Sequence, residues 1–264
     1  MNSNPYSAPA NPYEQPTGGG GGPTNGAQSW EATEVMGQAW AIFKVHALVL
    51  VGATFVAALI QNILSRVVGT VTGAFVEIPA SGLTPGVGGV SGMETELILK
   101  ILSAAAVGMV IVLPVTAFFR AGIIKLMLSP ARGGVPNFGD VFGGASRTLP
   151  LLLAMILKGL IVFVGCLLLI IPGIYASFAL SQVEYFVVDR QMGPIEAIQA
   201  SWSATEGQKI GIFIYWLLSL VVAILGLLAC CVGVLAAIPV IELGAAIIFT
   251  RITGTAVQVY TDRY

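Results

Sequence analysis

Ionisable side chains inside long apolar stretches are the residues of this sequence whose positions could support chemistry. A charge near the centre of a bilayer costs at least about 2.5 to 3.5 kcal/mol on insertion scales, so each such residue needs a partner or water. Proton and solute pathways through membranes are built from residues of these types. The candidate residues are Lys100, Lys158, Glu184, Glu242 and Arg251.

Two of these charges reach nearly the same depth when residues are counted from a shared turn. Lys158 lies 14 residues before Pro172, and Glu184 lies 12 residues after it. An α-helix rises about 1.5 Å per residue, so the two side chains are almost level in an antiparallel hairpin that turns at Pro172. We therefore predict that Lys158 and Glu184 pair.

Two of the other three charges form a second predicted pair, and the partner of the third is left open. Glu242 is placed near the outer end of the sixth predicted span and Lys100 near the outer end of the second. Their comparable depth predicts a pair between hairpins. Arg251 lies deeper, towards the inner leaflet, where Glu184 is an alternative partner.

These intramembrane charges support two interpretations. In the functional one, Lys158, Glu184, Glu242 and Arg251 line a path for a proton or a solute. In the structural one, the lysines snorkel or form neutralising pairs that fix helix register, and Glu184 is wetted near the cytoplasmic interface. We favour the structural interpretation, because four such groups over six spans can neutralise one another.

The composition argues against most other chemistry. The 264 residues are 56% hydrophobic and 9% charged, with a mean hydropathy of +0.89, which is typical of a polytopic membrane protein. A formal net charge of -1 offers no basic field to nucleic acid. The single His46 and the three cysteines leave little material for metal binding or nucleophilic catalysis. We therefore predict a protein that is not an enzyme, without catalytic residues, metal or cofactor.

Six apolar runs are long enough to cross a hydrocarbon core of roughly 30 Å. We place them at residues 47–64, 97–119, 148–170, 173–188, 210–229 and 235–255. Amphipathic interfacial helices are predicted at 29–45, around 137–142 with Asn137 as N-cap, and at 194–206. The predicted fold class is an all-α membrane protein with six transmembrane helices.

The six spans group into three hairpins, each marked by a proline. Pro114, Pro172 and Pro239 lie one in each hairpin. Pro172 and Gly173 together predict a helix stop followed at once by a restart, because proline has no amide donor and glycine tolerates a turn. The chain resembles three copies of one unit, although chance alignment of apolar sequence explains the match equally well.

Outside the bundle of residues 29–264, the N-terminal 28 residues form a separate region. They are rich in Pro, Gly, Asn and Ser and carry one charge, Glu14, so they cannot bury enough apolar surface to fold. We predict a disordered cytoplasmic tail. Its two Asn-Pro-Tyr copies, at 4–6 and 11–13, are available to a protein partner, although low-complexity drift accounts for them more simply.

Positive charge is distributed unequally between the two ends of the predicted bundle. Arg66 and Lys100 lie at one end. The opposite end holds Lys44, Arg120, Lys125, Arg132, Arg147, Arg190, Lys209 and Arg263. Cytoplasmic loops carry the excess of lysine and arginine, so the richer end is predicted to be cytoplasmic, and with it both termini.

The stretch from 171 to 207 resembles a known sequence pattern. Its residues are, in order, Ile171-Pro172-Gly173-Ile174-Tyr175, Asp189 at the end of a span, Gly193, Glu196-Ala197, Ser201-Trp202 and Thr205-Glu206-Gly207. This pattern is similar to that of uncharacterised bacterial six-helix membrane proteins, namely the YciC-like family and the membrane domain fused to some glycerophosphodiester phosphodiesterases. The resemblance implies a bacterial inner-membrane protein. It implies no activity, since the phosphodiesterase of those relatives is a separate soluble domain.

These observations predict a multi-pass protein of the bacterial plasma (inner) membrane, with the lipid bilayer as its partner. We expect a non-enzymatic scaffold or accessory protein in envelope or lipid organisation. The alternative is a transporter or channel for a small solute or lipid. A continuous polar cavity that reaches Lys158 and Glu184 would favour transport, whereas a bundle packed by small residues such as Ala104 and Gly108 would favour a scaffold.

Overall fold

The structure is a computed structural model that describes residues 30–75 and 90–255, with side chains at 30–70, 110–229 and 233–255. The predicted tail, residues 1–28, lies outside the described residues. Within the described ranges the chain is helical and has no strand. Six helical stretches there are long and apolar enough to cross a membrane, so the predicted all-α membrane fold is confirmed.

Eight α-helices follow one another along the described chain. In order they are α1 (Ala32–Phe75), α2 (Val90–Ala131), α3 (Thr148–Leu168), α4 (Ile170–Ala179), α5 (Val183–Asp189), α6 (Pro194–Ala204), α7 (Lys209–Leu228) and α8 (Cys230–Ile252). Two short 3₁₀ helices, Phe138–Phe142 and Ala145–Arg147, connect α2 to α3. Helices α1, α2 and α8 pack together on one side, and α3 packs against α2, α4, α5 and α6.

Helix α1 joins the first amphipathic segment and the first span without a loop. Its only non-helical backbone is at His46, with φ -115° and ψ 19°, which lies between the two predicted segments. The apolar residues of the amphipathic part, including Val35, Ala39 and Phe43, are buried in the protein core. The apolar face of this segment therefore packs inside the protein. The sequence had predicted that the segment lies along the membrane surface.

The second span extends farther than its predicted bounds of 97–119. Helix α2 continues to Ala131 with Pro114 and Pro130 inside it, and its described side chains from Val110 to Ala131 are apolar enough to cross a membrane. Arg120 consequently lies within the span, whereas the sequence placed it at the cytoplasmic end. The chain can hold a cation there because two carboxylates from other helices bind it.

The turn between the third and fourth spans falls three residues earlier than predicted. Leu169 has an extended backbone, with φ -160° and ψ 140°, and separates α3 from α4. Pro172 lies in the first turn of α4, where the missing amide donor costs no hydrogen bond. Gly173 serves a different purpose, because a Cβ there would overlap Cys166 Sγ and lie 2.6 Å from Cys166 N. The two helices thus cross at backbone contact.

The fourth span is broken, although the sequence predicted one helix over 173–188. Helix α4 ends at Ala179, and α5 begins at Val183. The freed carbonyl of Ala179 accepts hydrogen bonds from Ser201 Oγ at 2.8 Å and Thr205 Oγ1 at 3.1 Å. Both donors come from α6 and its C-cap, so the amphipathic helix predicted at 194–206 satisfies the end that the break exposes.

The last two helices form the third hairpin around Ala229. Helix α8 begins at Cys230, five residues before its predicted start, and contains Pro239. Close approach at the turn requires glycine, since a Cβ on Gly226 would lie 2.9 Å from the Gly233 carbonyl oxygen. Of the three hairpin prolines, Pro114 and Pro239 therefore lie inside helices, and only Pro172 lies near a turn.

Candidate functional site

Four charged side chains from four helices form one hydrogen-bonded network, which we call the charge quartet: Arg120, Lys158, Glu184 and Glu242. Arg120 Nε donates to Glu184 Oε2 at 2.6 Å, and Arg120 Nη1 donates to Glu242 Oε1 at 2.7 Å. Lys158 Nζ donates to the other oxygen of Glu184 at 3.0 Å. The quartet therefore links α2, α3, α5 and α8.

The quartet lies at the level of the midpoints of α3 and α8. Lys158 is residue 11 of the 21 in α3, and Glu242 is residue 13 of the 23 in α8. Arg120 reaches the same level, because it binds Glu242 and, through Glu184, is joined to Lys158. On α3, exposed apolar side chains occur both before Lys158, as at Leu149, and after it, as at Leu167. These positions put the charges near the middle of the membrane.

The charges of the quartet cancel, because two cations face two carboxylates. Burying a lone ion is far more costly than burying a compensated, hydrogen-bonded set. Glu184 is the most enclosed member, with 12% of its side chain exposed, whereas the other three are 24 to 28% exposed. Glu184 is also the member that binds both cations, so it holds the network together.

The predicted pair of Lys158 and Glu184 is in contact in the structure. Glu242 binds Arg120 and lies at the middle of α8, whereas the sequence placed it near the outer end of its span. The side chain of Lys100, its predicted partner, lies outside the described residues. The sequence did not predict Arg120 as a member of this site, although the mostly apolar run that continues after it, from Ala121 to Leu128 with Lys125 inside it, was a usable signal.

Arg251 pairs with Glu34, not with Glu184. Arg251 Nη2 donates to Glu34 Oε1 at 2.7 Å, and the Arg251 side chain is 10% exposed. Arg251 is in the last turn of α8, whereas Glu242 is at the middle of that helix. Glu34 is in the first turn of α1. This ion pair closes the bundle between its first and last described helices.

A further ion pair, outside the quartet, joins the end of α2 to the end of α5. Arg132 donates from Nη1 and Nη2 to the two carboxylate oxygens of Asp189, at 2.7 and 2.6 Å. Such bidentate pairs are the most directional that arginine forms. Arg190 Nε lies 3.7 Å from Asp189 Oδ2, so this carboxylate faces two guanidinium groups.

We expect Asp189→Asn to lower the free energy of unfolding by about 1 to 2 kcal/mol, because both guanidinium groups lose their counter-ion while Arg132 stays partly exposed to solvent. Denaturant titration in mixed micelles measures this change. The matched control is Asp140→Asn, whose carboxylate makes no hydrogen bond among the described residues, and it should change stability by no more than about 0.5 kcal/mol. Equal effects of the two variants would contradict the structural role of the pair.

The break in the fourth span adjoins the quartet. Gln182, two residues before Glu184, is 3% exposed, and its Oε1 has no hydrogen-bond partner in the part of the chain that the structure describes. Helices interrupted near the bilayer midplane are a feature of many transporter sites. The break therefore places a polar side chain and an unpaired acceptor beside the charges.

The site offers limited means for metal or cofactor binding. Among the described residues, no group of three or more His, Cys, Asp or Glu side chains is positioned to hold a metal ion. The two carboxylates of the quartet are already bound to cations, one of them to both. What the arrangement can do chemically is neutralise charge and exchange hydrogen bonds within the membrane.

Relatives of this chain occur among mycobacterial proteins. The chain is 27% identical over 220 residues to uncharacterised proteins of Mycobacterium bovis and of two Mycobacterium tuberculosis strains. The similarity covers 81% of this chain and 66% of each relative, so the chain spans just under two thirds of their length. No family model matches the chain, and no solved structure matches it.

Proposed function

We propose that this integral membrane protein is a non-enzymatic scaffold or accessory protein of the bacterial inner membrane that acts in envelope or lipid organisation. The observation that carries the proposal is the charge quartet. Its four charges cancel within the protein, and each of its members is bound to another. A neutral, fully paired network is suited to fixing the register of four helices, which is a structural task.

The location and orientation belong to the same proposal. With Arg120 in the quartet, the cation-rich end predicted from the sequence still has seven of its eight lysines and arginines, since Lys125 reaches the Gly143 carbonyl in the connection after α2. This excess favours a cytoplasmic position for that end and for both termini. The similarity to mycobacterial proteins supports a bacterial membrane, and the residues from 171 to 207 support kinship with YciC-like proteins.

A carrier or channel for a small solute is the second candidate. It is favoured by the break between α4 and α5, by the unpaired Gln182 Oε1, and by the partial exposure of three quartet members. A water-filled crevice that reaches the quartet would explain all three. The two candidates therefore differ in whether water reaches residue 182.

The test is chemical access to position 182. In a full-chain background in which Cys166, Cys230 and Cys231 are replaced with alanine, Gln182→Cys is exposed to a water-soluble maleimide in reconstituted vesicles opened to both sides. A scaffold with a packed interior leaves this cysteine unreactive, because residue 182 is buried. Glu206→Cys is the matched control, since the native side chain is exposed and charged, and it should react fully.

Reaction at position 182 at a rate comparable to that at position 206 would overturn the scaffold proposal. Solute-dependent flux through liposomes that contain the purified protein would overturn it as well. Under the carrier hypothesis, both results are expected, and Lys158→Met should abolish the flux because it removes a lining cation.

A further inference from the structure

Four cations gather where α2 and α5 end and where α3 begins: Lys125, Arg132, Arg147 and Arg190. We call this cluster the basic face. Arg147 donates through Nη1 to the Gln191 carbonyl oxygen at 3.4 Å and through Nη2 to Gln191 Oε1, which places it beside Arg190. Lys125 Nζ donates to the carbonyl oxygen of Gly143, in the same connection as Arg147. Asp189 joins Arg132 to Arg190.

The basic face has more positive charge than its neighbourhood neutralises. Among the described residues of this connection and the end of α5, the carboxylates are Asp140 and Asp189. Arg190 makes no hydrogen bond there through its guanidinium group, since 3.7 Å to Asp189 is too long. Arg132 Nε also has no partner in the described chain, but this atom is buried and so is closed to a phosphate. Arg190 therefore keeps its guanidinium donors for a phosphate, and Arg147 keeps the donors that do not bind Gln191.

Exposed apolar side chains lie beside these cations. Val135, Phe138 and Phe142 are exposed in the connection between α2 and α3, with exposed fractions of 78, 42 and 47%. The two phenylalanine rings lie 6.4 Å apart, and Phe142 precedes the glycine that Lys125 binds. Aromatic and aliphatic side chains next to lysine and arginine are typical of a segment that enters the headgroup region of a bilayer.

The connection between α2 and α3 lies next to lipid because of its position in the bundle. Helices α2 and α3 are both membrane-competent and meet at residues 132–147, so this segment lies where the chain leaves and re-enters the membrane. Anionic lipids are concentrated in the cytoplasmic leaflet, and each lysine or arginine near it contributes attraction. The excess of positive charge puts this same end on the cytoplasmic side.

We propose that the basic face binds the phosphate headgroup of an anionic phospholipid of the cytoplasmic leaflet, while Val135, Phe138 and Phe142 anchor the connection in the headgroup layer. Arg147 and Arg190 bind the phosphate, and Arg132 is held in place by Asp189. This inference rests on the proposed orientation of the protein, but not on the scaffold role or on the charge quartet, whose residues it does not use. A carrier with this topology would present the same face.

The experiment compares lipids at the protein boundary by electron paramagnetic resonance. The full chain is reconstituted in phosphatidylcholine vesicles that contain traces of spin-labelled phosphatidylglycerol or spin-labelled phosphatidylcholine. We expect wild-type protein to immobilise phosphatidylglycerol preferentially. The double variant Arg147→Gln with Arg190→Gln should lower that preference at least about fivefold, since each charge near the surface is worth about a factor of five.

Two further variants keep the test independent of folding. Arg147→Lys with Arg190→Lys conserves charge and should retain most of the preference. Lys44→Gln with Arg66→Gln removes two exposed charges outside the basic face, of which only Lys44 lies at the cation-rich end, and should retain most of the preference. Equal preference in wild type and the Arg-to-Gln double variant would overturn the proposal, as would an equal loss in the Lys44 and Arg66 control. Displacement by inorganic phosphate at constant ionic strength would show a soluble anion site and would overturn the lipid assignment.

Discussion

Replacing Glu184 with glutamine is expected to lower the free energy of unfolding by about 3 to 5 kcal/mol, the range seen when one partner of a buried ion pair is removed. Glu184 binds both Arg120 and Lys158, so its neutralisation leaves two cations opposite the single carboxylate of Glu242. The quartet would then carry an uncompensated positive charge near the middle of the membrane. Denaturant titration of the full chain in mixed micelles measures the change.

A double variant separates charge balance from the loss of one side chain. Glu184→Gln combined with Lys158→Met removes one charge of each sign and leaves the Arg120 to Glu242 pair intact, so it should recover a substantial part of the lost stability. Glu206→Gln is the matched control, because Glu206 is exposed, and it should have an effect within about 0.5 kcal/mol. A double variant less stable than Glu184→Gln alone would contradict the role of charge neutralisation.

The quartet shows which part of such a site a sequence can predict. Lys158 and Glu184 belong to one hairpin, so counting residues from its turn places them level, and the structure has them in contact. Arg120 and Glu242 come from separate hairpins. Their depths in the membrane depend on where each helix begins and ends. The predicted bounds of these two helices were wrong by five residues or more, so the predicted depths of both charges were wrong as well. Partners between hairpins depend on packing, which residue counts do not give.

The same distinction holds for the fold. The number and approximate position of the spans follow from apolar run length, which is a local property, and the prediction of six is confirmed. The break at residues 180–182 has no such local signal, since no proline or glycine lies there. It is stabilised by α6, whose Ser201 and Thr205 hydroxyl groups bind the Ala179 carbonyl from more than 20 residues away. A helix end whose carbonyl is hydrogen-bonded by a distant segment cannot be predicted from the local periodicity of apolar residues.

Replacing Gly173 with alanine is expected to destabilise the protein by about 1 to 3 kcal/mol, the usual cost of inserting atoms into a packed interface. The added Cβ would overlap Cys166 Sγ and lie 2.6 Å from the Cys166 backbone nitrogen. A rotamer change can move the sulfur, but the backbone contact remains, so α3 and α4 must separate. Unfolding of the full chain in mixed micelles measures the effect.

Gly159→Ala is the matched control on α3, because a Cβ there would meet no atom within 4 Å. Alanine exceeds glycine in helix propensity by about 1 kcal/mol, so this variant should be neutral or stabilising. Cys166→Ala added to Gly173→Ala should recover only the part of the loss caused by the sulfur. Full recovery would mean that the side chain alone sets the spacing of the hairpin, and equal stability of the two glycine variants would show that α3 and α4 do not cross at backbone contact.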